Sequence, residues 1–436
     1  MYWAGSFTAL ACALLVYVIG MELSSLIVGW TAGAVILIQA FHPFIFNFAL
    51  PYSFDTAYGS LAACLFIWFG IRAVRAGHGW WTFGAASAAA VALLCKLEMG
   101  AACYAALALL IVLRMLVQRS WKKMALDLVS ALPGAVGCIL VARWMISIKD
   151  VKFITDENIV SWPGTFYMRT FGKRSLETTG FALNVGTLTD AEIRTALVVL
   201  VLLIFYWVLY RLSPQTTSSS FWRIGASVAG LAVLVYLLPW QAELVFRRIF
   251  FPQDMVFYVA LAGLIALWHF LRRPLHQDPS LALLLTFSGL LAFRLLFGMK
   301  PSGYAIYYNG PVLLGFLLLA IALLPRHDRG PRFIFGAECL VCFACLSAVV
   351  LHFAAILPST KDYVPLATER GMIRVPKEEA EAYALAIAFM KEKAAQGQTV
   401  LSLPEDTSLY FFSETHCPTR LWLFGPGLVV PGRMTD

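Results

Sequence analysis

The chain has 436 residues, of which 60% are hydrophobic and only 13% are charged, with a formal net charge of +8 at pH 7. A soluble domain carries about a quarter charged residues, so this composition excludes an ordinary soluble protein. It is typical of a polytopic membrane protein whose positive charges mark loop topology and contact anionic lipid, and it does not indicate a nucleic-acid-binding surface.

Apolar stretches recur along the chain, and about twelve of them approach the width of a bilayer core. The predicted fold class is therefore an all-α polytopic membrane protein with a transmembrane domain over 1–357. Very short turns join two pairs of neighbouring spans. The predicted spans are 3–20, 22–40, 56–74, 80–95, 98–117, 126–147, 195–211, 223–238, 254–271, 280–298, 311–325 and 333–357.

The loops between these spans alternate in charge. One set is basic and includes the segments around Arg72, Lys122 and Arg272. Positively charged loops stay in the cytoplasm because they translocate poorly, so the other set faces outward. This predicts a multi-pass membrane protein with an extracytoplasmic tail over 358–436, which would lie in the periplasm if the source is Gram-negative. The predicted external loops are 41–55, 148–194, 239–253 and 299–310.

The same alternation places Met1 outside the membrane. The opening MYWAGSF has no positive residue, so it does not have the basic start of a signal peptide. We expect at least one further span and one external loop before Met1. The alternative is a protein whose N-terminus is naturally outside.

The polar tail is predicted to form a small α/β segment that is incomplete. Pro376 is expected to open a helix and Gly397 to end it. TVLSLP and PTRLWLF are predicted as strands, and SLYFFS as a further element. The apolar face predicted for the helix consists of Ala380, Tyr383, Ala384, Ile387 and Met390.

Charged residues beside apolar spans are the first candidates for a functional site, because charges near a bilayer are costly. Asp55 could act as a base or bind a divalent cation, or it could be only a helix N-cap. Lys96 and Glu98 flank a turn between two spans. Glu98 could accept a proton or bind the metal, and Lys96 could contact a phosphate. The alternative for Lys96 and Glu98 is a charged pair at a hairpin tip.

Two further groups of external residues are candidates for binding a phosphate and its headgroup. Arginines on an outer loop run against the charge rule and have donors suited to phosphate, although they could instead anchor lipid headgroups. The tyrosines could form an aromatic belt or the wall of a headgroup site. The phosphate candidates are Arg247, Arg248, Arg294 and Lys300, and the wall candidates are Tyr304, Tyr307 and Tyr308.

Several stretches of the chain resemble the C-type membrane glycosyltransferases, which include protein mannosyltransferases and lipid A aminoarabinose transferases. PYSFDTAYGSLAACLFIW is similar to their second external loop and the following span. LLCKLEMG is similar to a turn that carries Lys and an acidic residue. KPSGYAIYYNGPVLL resembles a late external loop, and LPEDTSLYFFSETHCPTRLWLFGPG resembles part of the soluble domain.

This resemblance implies inverting transfer of a sugar from a polyprenyl-phosphate donor to a lipid, glycan or protein acceptor outside the cell. Asp55 and Glu98, the candidate catalytic carboxylates and candidate ligands of a divalent metal ion, would be supporting groups beside the family's own base, and Lys96 would contact the phosphate. The family's catalytic aspartate lies in its first external loop, which has no counterpart here. We therefore expect this chain by itself to lack that base and to be inactive as it stands.

Two other classes of function remain open from the sequence. A transporter or flippase of a lipid-linked saccharide would need charges along a path through the span centres. The span centres are nearly free of charge and the charges gather at the outer edge, which favours an enzyme. The third class is a membrane assembly subunit without catalytic activity.

Overall fold

A computed structural model describes residues 2–40, 54–76, 78–118, 120–148, 279–293, 309–323, 342, 362–402 and 407–418. The chain divides into two compact units, one containing the apolar helices and one containing the polar tail. The predicted spans 195–211, 223–238 and 254–271 and most of 333–357 lie outside the described residues. Nearly all of the loops 148–194, 239–253 and 299–310 lie outside them too.

The described part of the first unit is helical. Three of its helices are long and apolar enough to cross a membrane, at Trp3–Leu23, Asp55–Ala76 and Trp121–Ile148. These helices agree with the predicted class, a helical membrane protein, and the count of twelve spans stays a prediction. The described helices are α1 (Tyr2–Leu23), α2 (Leu26–Ala40), α3 (Phe54–Ala76), α4 (Gly79–Cys95), α5 (Leu97–Gln118), α6 (Trp121–Ile148), α7 (Pro279–Phe293) and α8 (Asn309–Leu323).

Small residues let α1 and α2 pack closely. A Cβ atom on Gly29 would lie 2.6 Å from the carbonyl oxygen of Tyr17, and a Cβ atom on Gly20 would lie 2.8 Å from Cα of Gly29. Gly29 and Gly33 form the spacing that allows membrane helices to approach. The turn comes later than the predicted break at 20–22, because the Ser25 hydroxyl accepts a 3.4 Å hydrogen bond from the Val28 amide at the start of α2.

The core of the unit combines large side chains with alanines. Phe66 of α3 and Phe287 of α7 are fully buried, with ring centroids 6.0 Å apart. Helix α4 buries mainly alanines, and Gly134 of α6 packs against the backbone of Ala86. Large apolar side chains of α6, such as Trp144, are exposed, which suits a helix surface that faces lipid.

The second unit begins with an antiparallel hairpin. Its described elements are β1 (Tyr363–Thr368), β2 (Gly371–Pro376), α9 (Lys377–Ala395) and α10 (Thr407–Ser413). The register pairs Tyr363 with Pro376 and Thr368 with Gly371. Gly371 has a φ of +121°, a backbone conformation that favours glycine at the end of a tight turn.

The predicted helix of the tail is present. Gly397 follows it with a φ of +73°, and the Gln398 amide donates a 2.9 Å hydrogen bond to the Lys393 carbonyl. Ile387 and Met390 are buried as predicted, whereas Ala384 is exposed. Pro376 does not lie in the first turn of the helix. It is the last residue of β2 and the N-cap of α9.

The predicted strand TVLSLP is described only over residues 399–402. These residues have no strand partner among the described residues. The Ser402 amide instead donates a 2.6 Å hydrogen bond to the hydroxyl of Tyr410. SLYFFS forms α10, and all but the first residue of PTRLWLF lies outside the described residues.

Candidate functional site

Asp55 and Lys96 form an ion pair at one end of the helical unit. The Lys96 Nζ atom lies 3.6 Å from Oδ2 of Asp55, and the Lys96 and Asp55 side chains are 18% and 49% exposed. Asp55 stands in the first turn of α3, and Lys96 is the residue between α4 and α5. Residues 41 apart along the chain thus meet where solvent or a ligand can reach them.

The turn that carries Lys96 is tight. Lys96 is extended, with φ −151° and ψ 115°, and its amide donates a 2.8 Å hydrogen bond to the Ala92 carbonyl at the end of α4. Helix α5 begins at the next residue, Leu97. One residue therefore reverses the chain, and its side chain is mostly buried beside α3. We call this end of the unit, where α3 and α5 begin and α4 ends, the Lys96 end.

Gly59 allows α3 to approach this hairpin. A Cβ atom on Gly59 would lie 2.9 Å from Sδ of Met99, 3.3 Å from Cβ of Cys95 and 3.5 Å from Cβ of Lys96. Gly59 is one helical turn after Asp55, so both positions face the hairpin. The absence of a side chain at Gly59 is what brings the carboxylate of Asp55 within reach of Lys96.

Asp55 is not an N-cap, because α3 begins at Phe54 and Asp55 lies inside its first turn. A carboxylate there is stabilised by the partial positive charge of the helix N-terminus. Glu98 has the same position in α5, and it is half-buried beside the fully buried Met99. The Lys96 end therefore carries two carboxylates on adjacent helix N-termini, with one ammonium between them in sequence.

The divalent metal site predicted at Asp55 and Glu98 stays a prediction. The ammonium of Lys96 already lies beside the Asp55 carboxylate, where a metal ion would have to compete with it. In the part of the chain that the structure describes, no group of three or more His, Cys, Asp and Glu side chains is placed to hold a metal ion.

The opposite end of the unit is basic, and its arginines donate hydrogen bonds to acceptor atoms within the protein. Arg72 donates to Oε1 of Glu22, which also accepts a 3.3 Å bond from the Trp68 indole. Arg75 donates a 2.8 Å hydrogen bond to the Glu22 carbonyl at the end of α1. Asp55 and Arg75 stand twenty residues apart on α3, which is about 30 Å and matches the thickness of a bilayer core. We call this the Arg72 end.

A buried charged pair near the Arg72 end was not among the candidates from sequence. Arg114 of α5 and Asp127 of α6 are 4% and 1% exposed, and Nε of Arg114 lies 3.1 Å from Oδ2 of Asp127. Both are single charges inside apolar stretches, LLIVLRMLV and MALDLVSAL. That interruption of an apolar run is the signal that could have identified them.

The remaining candidates stay predictions. Compared with family models, with curated proteins and with solved structures, the chain gives no match. The choice of a function therefore depends on the geometry of the described residues. The candidates Arg247, Arg248, Arg294, Lys300, Tyr304, Tyr307 and Tyr308 all lie outside the described residues.

Proposed function

We propose that this protein is a membrane glycosyltransferase of a bacterial inner membrane. It transfers a sugar, with inversion, from a polyprenyl-phosphate donor to a lipid, glycan or protein acceptor on the extracytoplasmic side. The proposal is supported chiefly by one observation, the partly exposed pair of Asp55 and Lys96 at the end of the unit opposite the basic Arg72 end.

The distribution of charge supports the choice of face. Arginines and exposed lysines, including Lys122 and Lys123, gather at the Arg72 end. Because positive segments are retained in the cytoplasm, the Lys96 end would be the outer one. A lipid-linked donor in the outer leaflet would bring its phosphate to the level of Lys96.

The chemistry of these residues suits glycosyl transfer to an acceptor hydroxyl or amine. Negative charge develops on the leaving phosphate, and a fixed ammonium such as that of Lys96 stabilises it. The arriving phosphate competes with Asp55 for Lys96, which leaves a carboxylate available as a base. Asp55 or Glu98 would then accept the proton of the acceptor. Water-poor surroundings strengthen both interactions.

The described residues favour an enzyme over a transporter. Among them the charged side chains that are fully buried are Arg114 and Asp127, and these bind each other. A translocation path through the span centres would need charged groups facing the path. The pair at the Lys96 end is instead at a surface, where a group can be transferred without crossing the membrane.

The proposal is tested by assaying the full-length protein in nanodiscs with a radiolabelled polyprenyl-phosphate sugar and a mixture of acceptors. Lys96→Gln is expected to lower turnover by roughly 10²–10³-fold, as loss of a preorganised electrostatic group does. Lys122→Gln, which removes the same charge from the exposed start of α6, is the matched control and should leave turnover unchanged. Equal turnover in both variants would exclude Lys96 from the site.

A further inference from the structure

Thr82, Arg114 and Asp127 form a closed polar bridge across three apolar helices. Nη1 of Arg114 donates a 3.0 Å hydrogen bond to Oγ1 of Thr82. The Thr82 hydroxyl in turn donates a 3.0 Å hydrogen bond to Oδ1 of Asp127. Nε of Arg114 and Oδ2 of Asp127 lie 3.1 Å apart in ionic contact. All three side chains are buried. We call this group the Thr82 bridge.

The presence of this group has to be explained, because burying a charged pair among apolar helices costs free energy. Replacing a buried pair by apolar residues is often neutral or stabilising, so stability alone is a weak explanation for it. A network in which the hydroxyl both accepts and donates has one favourable arrangement, so it defines the rotation and register of the helices that carry it. Here those helices are α4, α5 and α6.

Two of these helices lead directly to the Lys96 end. Thr82 stands fourteen residues before Lys96 along α4, which is about 21 Å. Arg114 stands sixteen residues after Glu98 along α5, which is about 24 Å. A helix behaves as a rigid rod over this length, so a rotation of either helix at the bridge moves the residue at its other end.

Helix α6 supplies the carboxylate of the bridge, Asp127. It packs against α4 at two tight points, where a Cβ atom on Gly134 would lie 2.7 Å from the Ala86 carbonyl oxygen and one on Gly79 would lie 2.8 Å from Oγ of Ser130. Asp127 lies between these contacts and the start of α6. The α4–α5 hairpin is thus held against α6 by backbone contact and by the bridge.

We propose that the Thr82 bridge is a positioning device which sets the hairpin so that Lys96 meets Asp55. Thr82, Arg114 and Asp127 are positioning residues, since they act through Lys96 and Glu98 at the other end of the unit. This inference rests on the proposed function only where it predicts a change in the turnover of sugar transfer. Its structural part concerns the environment of Lys96 and stands without any assay of sugar transfer.

The test compares Thr82→Val, which has the shape of threonine without its hydroxyl, with Thr82→Ser, which keeps the hydroxyl. In full-length protein in nanodiscs, the acylation rate of Lys96 by a water-soluble amine reagent is measured by mass spectrometry against Lys122 in the same sample. We expect Thr82→Val to raise the Lys96 rate several-fold and Thr82→Ser to restore the rate of the native protein. An unchanged Lys96 rate in folded Thr82→Val protein overturns the proposal.

If Thr82→Val does not fold, the double variant Arg114→Met with Asp127→Met takes its place, because it leaves no unpaired charge. The same rise in Lys96 acylation is expected, and an unchanged rate overturns the proposal. In the transfer assay, kcat/KM for the donor should fall by up to roughly 10²-fold, as a displacement of about 1 Å produces. If native protein transfers no sugar, the proposed function fails. The acylation rates of Lys96 still test whether the Thr82 bridge positions the hairpin.

Discussion

Gly59 offers a direct perturbation of the contact between α3 and the hairpin. A Cβ atom there would lie 2.9 Å from Sδ of Met99 and 3.3 Å from Cβ of Cys95. Ordinary contacts are about 3.5–4.0 Å, so Gly59→Ala requires Met99 to retreat by roughly 0.6–1.1 Å. Met99 ends in a flexible thioether that can adapt. Alanine also gains about 1 kcal/mol of helix propensity over glycine, so we expect Gly59→Ala to be nearly neutral.

Gly59→Val is expected to behave differently. Its extra methyl groups would meet Cys95 and Lys96 as well as Met99, and overpacking of this kind costs about 1–3 kcal/mol. The matched control is Gly137→Val in α6, because a Cβ atom on Gly137 meets nothing within 4 Å. Stability is measured from the unfolding transition of both variants in mixed detergent micelles. If Gly59→Val is as stable as Gly137→Val, the close approach of α3 to the hairpin is wrong.

Other contacts give three further predictions. Gly29→Leu should destabilise the α1–α2 pair by about 1–3 kcal/mol or more, since a Cβ atom 2.6 Å from the Tyr17 carbonyl meets backbone that cannot move aside, and the unfolding transition reports it. Asp127→Leu alone should lower the free energy of unfolding by about 3–5 kcal/mol, because Arg114 is left buried without its carboxylate. In a double-mutant cycle, adding Arg114→Met should recover most of that loss. In the tail, burial and a hydrogen bond with Cys417 raise the pKa of Tyr410, although the Ser402 amide lowers it. The protonated Tyr410 therefore stabilises the folded tail below the unfolded pKa of about 10, and this stabilisation is lost as pH rises through the higher folded pKa. Proteolysis of the described part of the tail should therefore accelerate in alkali, and a Tyr410→Phe variant that showed the same alkaline acceleration would contradict this role of the buried Tyr410 hydroxyl.

The helices of the first unit follow from the sequence because apolar runs of this length have few other stable forms in a membrane. Their limits are less predictable. The break between α1 and α2 depends on the side chain of Ser25, and α3 extends past Asp55 to Phe54. Such local hydrogen bonds shift a helix end by two or three residues without changing the apolar pattern that identifies the helix.

The components of the site were visible in the sequence, but their pairing was not. Asp55 and Lys96 each stand out as charges beside apolar spans, yet nothing along the chain indicates that the start of α3 contacts the α4–α5 turn. That contact depends on Gly59, whose role is apparent only when the helices are packed. Lys96 and Glu98 are neighbours in the sequence, and the structure brings Lys96 against Asp55.

The tail shows the converse difficulty. Its hairpin was missed because Pro365 and Arg374 interrupt the alternation expected of strands, although they are paired with each other in the register. TVLSLP has the composition of a strand but makes its described hydrogen bond with Tyr410.

Protection of Lys96 by the donor tests the proposed phosphate site most directly. Acylation of Lys96 in full-length protein is measured with and without a polyprenyl-phosphate, using Lys122 as the internal reference. We expect the lipid phosphate to slow acylation of Lys96 and to leave Lys122 unchanged. Equal rates at Lys96 with and without the lipid would contradict a phosphate site beside Asp55.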